Sequence, residues 1–388
     1  MAEPAPSPPE RAHVVDGNRL ILLLDGPERL AALIALIDGA KTSLRLLYYI
    51  YAGDNSGRLV YQAIERALDR GVAVWLLVDG FGSTTPEGFF KPLVEKGLGY
   101  CRFHPTFGRR YLIRCHQKLA LADGEGEPPR VIIGGFNIED SYFGTIEKGA
   151  WRDIGLIVEG PAAARLVPYF DALFGWAIIK GAKIRPLNRI IHLHSENHGP
   201  LQWTLGGPTR GLSPWALATS RDLLSSKDVA MIAAYFSPTW AMLRRIGRVA
   251  GRGRARIITA SKSDNNATIA AARYTYRGML RRGVQVYEYA PTKLHSKLVV
   301  LNDIVHIGSS NFDIRSLYLN LEMMLRVDDP GFARLMRNYF EGELSASVEI
   351  TPELHRKRSG LWTRIVQALS FFLVTTADYS LTRRLNFK

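Results

Sequence analysis

The chain has 388 residues, 47% of them hydrophobic and 22% charged, so it is long enough for one large domain or two ordinary ones. This composition excludes a collagen-like, low-complexity or largely disordered protein. The 50 Lys and Arg residues outnumber the 36 Asp and Glu residues, and the resulting net charge of +14 suits a partner rich in phosphate, either a nucleic acid or an anionic lipid. Its two cysteines, Cys101 and Cys115, form no disulfide framework and match no common zinc motif.

The amino-terminal sequence predicts a disordered leader over residues 1–20. Four of the first nine residues are proline, and the apolar core of a signal peptide is missing. No stretch of the chain reaches the roughly 20 apolar residues that a membrane-spanning helix needs. We therefore expect any contact with a membrane to be peripheral.

Alternating helix and strand patterns predict an α/β domain over residues 21–177. A helical pattern begins near Pro27, and the segment SLRLLYYIY that follows indicates a strand. A helix over residues 56–70 and the strand VAVWLLVDG come next. Three short strand patterns, the strand DIGLIVEG and a helix over residues 162–176 complete this domain.

The same order of elements returns over residues 215–350. Strands are predicted by DVAMIAAYF, RARIITA, VQVYEYA, KLHSKLVVL, DIVHIGSS and EMMLRV, with helical patterns between them. The shared order predicts an internal duplication, with two mixed sheets flanked by helices. Residues 178–214 show little periodicity, and we interpret them as a connecting segment with a loop that reaches over a site.

Residues 351–388 predict a basic tail that continues into an amphipathic helix. Its basic run is HRKR at 355–358, and apolar side chains follow at helical spacing. These side chains are Trp362, Ile365, Val366, Leu369, Phe372 and Leu373. Either this apolar face lies among lipid headgroups, or it packs on the body of the protein.

The most informative feature is a motif that occurs once in each half of the chain. His116 and Lys118 form the first copy, and His295 and Lys297 form the second. Because side chains two residues apart on a strand share a face, each copy places an imidazole beside an ammonium group.

The residue five positions after each Lys lies at an odd offset and therefore faces away from the His and Lys. Asp123 occupies this position in the first copy, where Asp-Gly is typical of a turn. In the second copy the position is Asn302, followed by Asp303. Because Asn also forms such turns, we expect this difference to affect catalysis little.

Each copy is followed by a second strand and a glycine-rich turn that contains Asn. The turn residues are Gly134, Gly135 and Asn137 in the first half and Gly308, Ser309 and Asn311 in the second. Glycine permits close approach of a phosphate, and the Asn amides are neutral hydrogen-bond donors. In one shared site, one His would attack phosphorus and the other would protonate the leaving oxygen, while Lys and Asn stabilise the equatorial oxygens. This set of groups needs no metal ion and no cofactor.

The paired H-x-K-x4-D and G-[GS]-x-N elements resemble the phospholipase D superfamily, and longer stretches are similar to its bacterial cardiolipin synthase branch. These stretches are VDGFGS at 78–83, GGFNIEDSYFG at 134–144, WRDIGLIVEGP at 151–161, YFSP at 235–238, SKSDN at 261–265 and GSSNFDIRSLYLNLEM at 308–323. The resemblance extends over about residues 25–345. It implies two phospholipase D-like repeats packed with pseudo-twofold symmetry around one active site, as in the short members without amino-terminal spanning helices.

This resemblance also implies the roles of the site residues. His116 and His295 are the nucleophile and the general acid/base of a reaction with a phosphatidyl-histidine intermediate. The sequence does not decide which histidine attacks, and we favour His116. Asp153 and Glu322 are the implied carboxylates that orient the imidazoles. His306, which lies within a strand pattern, is interpreted as a structural histidine.

The implied reaction is the formation of cardiolipin from phosphatidylglycerol with release of glycerol, with phosphatidylglycerol or phosphatidylethanolamine as the acceptor. The enzyme would then lie peripherally on the cytoplasmic face of the cell membrane, with an anionic phospholipid rather than nucleic acid as its partner. Two alternatives remain open at this stage, namely hydrolysis to phosphatidic acid and metal-independent cleavage of nucleic acid. A non-catalytic lipid-binding module is disfavoured because both His-Lys pairs are intact.

Overall fold

The computed structural model describes residues 11–103, 113–125, 128–209 and 211–377, which form two similar α/β halves. The strands of the first half are β1 (Ala12–Val15), β2 (Asn18–Leu23), β3 (Ser43–Tyr48), β4 (Ala73–Asp79), β5 (Gly99–Phe103), β6 (Leu119–Ala122), β7 (Arg130–Gly134) and β8 (Gly155–Glu159). Its helices are α1 (Gly26–Gly39), α2 (Asn55–Asp69), α3 (Lys91–Glu95), α4 (Asp140–Phe143), α5 (Pro161–Ala164) and α6 (Val167–Ala177), with a 3-10 turn over Ile146–Lys148.

Helix α7 (Ile184–Leu193) leads into the second half. The strands there are β9 (Leu201–Gly206), β10 (Asp228–Ala233), β11 (Phe236–Ser237), β12 (Arg254–Ala260), β13 (Gln285–Tyr289), β14 (Lys297–Leu301), β15 (Ile304–Gly308), β16 (Phe312–Asp313), β17 (Glu322–Asp328) and β18 (Ser347–Glu349). The helices are α8 (Pro214–Ser225), α9 (Trp240–Arg252), α10 (Asn266–Leu280), α11 (Ile314–Tyr318), α12 (Pro330–Ser345), α13 (Pro352–Arg358) and α14 (Leu361–Phe372), and a π-helical turn covers Leu373–Ala377.

Each half contains one eight-stranded mixed sheet, and the two sheets share a strand order. The first sheet has the order β1-β2-β8-β7-β6-β3-β4-β5, and the second has the order β9-β17-β15-β14-β10-β12-β13-β18. Seven strands therefore correspond one to one, from β2 to β5 in the first sheet and from β9 to β13 in the second. Within both sets the last three strands are parallel and the others antiparallel. The predicted α/β fold with two repeated mixed sheets is confirmed.

The structure differs from the predicted segments in two places. Strand β9 lies inside residues 178–214 and pairs with β17, so that segment supplies an edge strand of the second sheet. Strands β1 and β2 form a hairpin that begins inside the predicted disordered leader, residues 1–20. Residues 1–10 of that leader lie outside the described part of the chain. Asp16 and Gly17 at the turn of this hairpin both have positive φ, 47° and 72°, as hairpin turns favour. Neither element is evident from the sequence, because both are short and lie beside Gly or Pro.

The core explains why the two halves form one body. Leu46 and Leu47 on β3 point to opposite sides of the first sheet, and both are completely buried. Leu46 packs beneath the outer helices, whereas Leu47 belongs to a cluster that also contains Leu298 and Leu325 of the second sheet. This shared cluster fixes the relative position of the two sheets, and therefore of the residues at their strand ends.

The carboxyl-terminal helix α14 packs on the second half through its more polar side. Gln367 and Phe371 are buried, and the Phe371 ring lies 4.8 Å from that of Tyr274 and 5.5 Å from that of Trp240. The predicted apolar face, which we call the tail face, comprises Trp362, Ile365, Val366, Leu369, Phe372 and Leu373, and all six side chains are exposed. The interpretation that this face packs on the body of the protein is therefore wrong. Among the described residues, no helix is long and apolar enough to cross a bilayer.

Candidate active site

The two motif histidines lie in extended segments just before strands, rather than inside them as predicted. Strand β6 begins at Leu119, and β14 begins at Lys297. The backbone before each strand pairs with the other half of the protein. The His116 amide donates to the Leu321 carbonyl at 2.9 Å, and the His295 amide donates to the Arg152 carbonyl at 2.7 Å. Each histidine is therefore positioned by both halves.

Each imidazole contacts a carboxylate that belongs to the opposite half. His116 Nδ1 lies 3.0 Å from Glu322 Oε1 and 3.1 Å from Oε2, and His295 Nδ1 lies 2.6 Å from Asp153 Oδ2. Glu322 is the first residue of β17, Asp153 lies two residues before the corresponding strand β8, and both carboxylates are fully buried. Because a carboxyl oxygen of Glu322 or Asp153 can accept the proton of Nδ1, Nε2 of each neutral imidazole keeps its lone pair.

One cavity of about 530 Å³ contains both histidines. Asn137 and Asn311 also line it, so the structure brings these four predicted residues together. The Asn137 side-chain oxygen accepts a hydrogen bond from the Ile50 amide at 3.1 Å, and its NH2 group, which has two hydrogens to donate, also hydrogen-bonds the Tyr142 side chain. The Asn311 oxygen is buried and has no hydrogen-bond partner among the described residues. Further lining residues are Tyr49, Phe81, Arg114, Tyr142, Tyr235, Asp264, Asp313 and Arg315.

The two motif lysines are buried next to the histidines. Lys118 Nζ donates to the His116 carbonyl at 2.6 Å, and Lys297 Nζ donates to the His295 carbonyl. Burial lowers the pKa of Lys118 to about 7 and that of Lys297 to about 8. An anionic ligand in the cavity would favour their charged forms and raise both pKa values. The positive charge of the lysines would therefore increase on binding of an anion.

Burial also determines the charge of the histidines and carboxylates. It lowers the pKa of His295 to about 3 and that of His116 well below its usual value, so both imidazoles are neutral near pH 7. Burial raises the pKa of Glu322 to about 8. Burial acts in the same direction on Asp153, but the contact with His295, including its hydrogen bond, and the charge of Lys297 outweigh burial and bring the pKa of Asp153 below its usual value. The two His–carboxylate pairs are therefore electrostatically different.

The difference between Gly135 and Ser309 follows from the length of the carboxylate side chain beside each. Ser309 Oγ donates to Glu322 Oε2 at 2.5 Å, and Ser316 Oγ donates to Oε1 at 2.8 Å. Asp153 is shorter and lies against the backbone of Gly135. A Cβ atom on this glycine would lie 2.6 Å from Asp153 Oδ1, closer than real contacts allow. Glycine here leaves room for the carboxylate.

The preceding glycines are required by backbone packing. A Cβ on Gly134 would lie 2.7 Å from the Ile154 carbonyl oxygen, and a Cβ on Gly308 would lie 2.2 Å from that of Met323. Gly308 also has a φ of 157°. These glycines let the motif turn approach the strand that carries the carboxylate.

Asp123 and Asn302 are located at turns and do not line the cavity. Both residues have positive φ, 49° and 50°. The Asp123 carboxylate accepts hydrogen bonds from the amides of residues 41, 42 and 43, and Asn302 Oδ1 accepts from the amides of residues 227 and 228. Asp303 follows in the same turn, where its carbonyl accepts from the Asp329 amide. Their geometry is that of structural turn residues.

Several site residues were missed by the sequence analysis. Tyr142 and Trp151 pack edge-on against the His295 ring at 5.1 and 5.3 Å. Arg29, only 1% exposed, donates to the Asp153 carbonyl at 2.6 Å and to the Tyr142 carbonyl at 2.8 Å. The position of Arg29 at the start of the apolar run RLAALIALI was a signal in the sequence, because a buried cation requires specific partners.

Comparisons with known proteins relate this geometry to one family. A family model described as cardiolipin synthase, PLD-like domain, matches residues 33–174 and 221–344. A cardiolipin synthase of Listeria monocytogenes serotype 4a is 31% identical over 377 residues, which cover 93% of this chain and 76% of the relative. Cardiolipin synthase 1 of Bacillus cereus is 29% identical over 360 residues, which cover 87% of this chain and 69% of that protein.

Solved structures show the same fold at low sequence identity. The phosphatidylserine synthase of Haemophilus influenzae superposes with a TM-score of 0.72 at 13% identity, covering 94% of this chain and 95% of that chain. A polyphosphate kinase of Porphyromonas gingivalis superposes with a TM-score of 0.55 at 16% identity, covering 84% of this chain and 50% of that chain. The two-sheet architecture is therefore shared well beyond the sequence relatives.

Proposed function

The chain belongs to the phospholipase D-like cardiolipin synthase family, and we propose that it is a phosphatidyltransferase that forms cardiolipin from phosphatidylglycerol. One observation carries the proposal. Two neutral imidazoles share a single cavity, and each is oriented through Nδ1 by a buried carboxylate of the opposite half. This arrangement provides one nucleophile and one proton carrier for transfer at a phosphodiester.

In the first step, Nε2 of His116 attacks the phosphorus of phosphatidylglycerol. A nitrogen–phosphorus bond forms, and the bond from phosphorus to the headgroup glycerol oxygen breaks. His295 takes up a proton when the anionic substrate binds, and donates it to that leaving oxygen so that glycerol departs. Asp153 supports this role because its ionised form stabilises the imidazolium.

In the second step, the hydroxyl of an acceptor phosphatidylglycerol attacks the phosphorus. His295 removes the hydroxyl proton, a new phosphorus–oxygen bond forms, and the bond to His116 breaks to release cardiolipin. The Lys118 and Lys297 ammonium groups stabilise the charge on the equatorial oxygens in both steps, together with the Asn137 amide.

We further propose that the tail face lies on an anionic bilayer. Of the large apolar side chains that the structure leaves exposed, seven lie between Leu361 and Leu373, which concentrates them in one segment. The basic run of α13 at 355–358 immediately precedes it. Leu373 also lines the catalytic cavity, so binding through this face would bring the cavity to the lipid surface.

Product analysis tests the proposed reaction. Purified protein is incubated with phosphatidylglycerol vesicles in the presence of a chelator, and the products are identified by mass spectrometry. We expect cardiolipin and glycerol from the native protein and neither from His116→Ala. Phosphatidic acid alone would show a hydrolase, while the absence of any lipid product would contradict the proposal and direct the test to DNA.

Cosedimentation with phosphatidylglycerol vesicles tests the tail face. We expect Leu369→Glu to weaken binding by about tenfold, because a buried leucine contributes about 1.5–3 kcal/mol. Leu217→Glu is the matched control, since Leu217 lies on α8 and is similarly exposed, at 47% compared with 58%. Equal binding by the two variants would show that the tail face does not contact the bilayer.

A further inference from the structure

The lining of the catalytic cavity includes two arginines that the proposed chemistry does not use. Arg114 and Arg315 both line it, together with the two histidines. Arg114 lies two residues before His116, with its guanidinium carbon 3.9 Å from the centre of the Phe81 ring. Both arginines are partly exposed, whereas the motif lysines are buried. They therefore lie nearer the opening of the cavity than the lysines do.

The charges of the two guanidinium groups act on one residue of the cavity, Tyr49. Burial raises the pKa of Tyr49, and the charges of Arg114 and Arg315 both oppose this rise. The Tyr49 ring lies 5.0 Å from the ring of His116. Both cations are thus close to the imidazole to which the phosphatidyl group would be attached.

The carboxylates that line the cavity have hydrogen-bond partners of their own. Asp313 caps helix α11 by accepting from the Ser316 amide at 2.8 Å. Asp264 accepts from the Tyr235 hydroxyl at 2.8 Å and from the Ser263 hydroxyl at 2.9 Å. These contacts hold both carboxylates in place on the protein next to the arginine pair, and the charge of Arg315 also acts on Asp313.

Cardiolipin formation brings two phosphodiesters into one cavity. The phosphodiester of the donor must lie on the histidines, where the lysines and Asn137 can stabilise it. The acceptor has its own phosphodiester a short glycerol away from the attacking hydroxyl, and two anions at this separation repel each other unless cations lie nearby. A guanidinium group suits this task because its planar array of donors matches phosphate oxygens.

We propose that Arg114 and Arg315 bind the phosphodiester of the acceptor and so select an acceptor lipid over water or a neutral alcohol. This inference rests on the proposed phosphatidyl transfer. It assigns the lysines to the donor phosphate and the arginines to the acceptor phosphate. The selectivity for transfer over hydrolysis then originates at the opening of the cavity.

Competition between two soluble acceptors tests the proposal. The donor is phosphatidylglycerol in mixed micelles, and the acceptors are deuterium-labelled glycerol and glycerophosphoglycerol, which carries the same phosphodiester without acyl chains. The label distinguishes the phosphatidylglycerol formed by transfer from the donor. The measured quantity is the ratio of kcat/KM for glycerophosphoglycerol to that for glycerol. We expect the double variant R114Q/R315Q to lower this ratio by about 100-fold. Because the ratio is taken on one sample, it does not depend on how much of the variant is folded.

A charge-matched control is provided by R244Q/R248Q. Both arginines lie on the exposed side of α9 and do not line the cavity. We expect this variant to keep the native ratio. With phosphatidylglycerol as acceptor in place of glycerophosphoglycerol, we expect the same loss in R114Q/R315Q.

Three results separate the possible failures. If R114Q/R315Q keeps the native ratio, the arginines do not recognise the acceptor phosphate and the inference is wrong. If only the lipid acceptor is affected, the arginines act at the bilayer surface, which also overturns it. If the native protein transfers the phosphatidyl group to neither acceptor, the proposed function itself fails.

Discussion

Replacement of Asp153 by Asn is expected to slow phosphatidyl transfer by about 100-fold while the protein stays folded. Asp153 is completely buried, and its Oδ2 lies 2.6 Å from His295 Nδ1. Its other oxygen, Oδ1, accepts a hydrogen bond from the Ile154 amide at 2.8 Å. An asparagine oxygen would keep this contact with the backbone, and the side-chain NH2 group would then face His295.

The magnitude follows from this change of partner. An NH2 group facing Nδ1 forces the proton of the neutral imidazole onto Nε2, the atom that must exchange protons with substrate. A hydrogen bond to a charged group contributes about 1.5–3 kcal/mol, and that contribution to the imidazolium form is lost. Since each 1.36 kcal/mol corresponds to a factor of ten in rate, a loss near 3 kcal/mol gives about 100-fold.

The measurement is the initial rate of transfer to deuterium-labelled glycerol at saturating donor, followed as labelled phosphatidylglycerol and normalised to the folded fraction from thermal unfolding. Asp222→Asn is the matched control. Asp222 is also a buried carboxylate that contacts a histidine, with His306 Nε2 at 2.8 Å and Arg326 Nε at 2.9 Å, but it does not line the cavity. We expect this control to lower the free energy of unfolding by about 1–3 kcal/mol and to leave the normalised rate unchanged.

Two results would refute this reasoning. A loss of less than threefold in Asp153→Asn would show that the contact does not determine the state of His295. An equal loss in Asp222→Asn would show that buried carboxylates act on the rate through the general integrity of the fold.

Three other predictions concern the turns, the motif glycine and the lysines. Asp123→Ala should lower the free energy of unfolding in urea by about 2–3 kcal/mol, because three backbone amides lose their acceptor. Asn302→Asp keeps an acceptor oxygen at the corresponding turn, so it should change neither the free energy of unfolding nor the rate appreciably. Gly135→Ala should lower kcat by at least about tenfold, because the added Cβ would lie 2.6 Å from Asp153 Oδ1 and displace the carboxylate. A native kcat in this variant would show that the Asp153 carboxylate can move without loss of activity. Burial lowers the pKa of Lys118 to about 7, so kcat/KM should fall as the pH rises above 7 and the ammonium group loses its proton. The variant Lys118→Arg keeps its charge and should move this decline to higher pH. An unchanged pH profile in the variant would show that Lys118 does not cause the decline.

Local pattern predicts most of the fold but not its edges. The central strands are nearly continuous apolar runs because both faces of each sheet are buried, and such runs are visible in sequence. Strand β9 and the β1–β2 hairpin are recognisable only through their pairing with β17 and β8, strands more than a hundred residues further along the chain. The exposure of the tail face likewise depends on which side of α14 contacts α10, and an amphipathic pattern does not contain this information.

The site shows the same division between local and long-range information. The repeated motif identifies His116 and His295 because the same residue types recur at the same spacing in two halves. The resemblance to a family supplied Asp153 and Glu322, but the crossing of each carboxylate to the opposite histidine depends on how the two sheets dock. Arg29 could not be assigned from local pattern, since its partners are backbone carbonyls that only the folded chain brings together.

The crossed pairing of histidines and carboxylates links catalytic competence to the completion of folding. A chain in which only the first half has folded holds His116 without Glu322, and Asp153 without His295, so neither imidazole is oriented. The reactive nitrogen atoms therefore acquire their working state together, at the moment when the two sheets associate. An unfinished or partly unfolded molecule lacks both His–carboxylate pairs at once, and under the proposed function it would not attack the phosphodiesters of lipids.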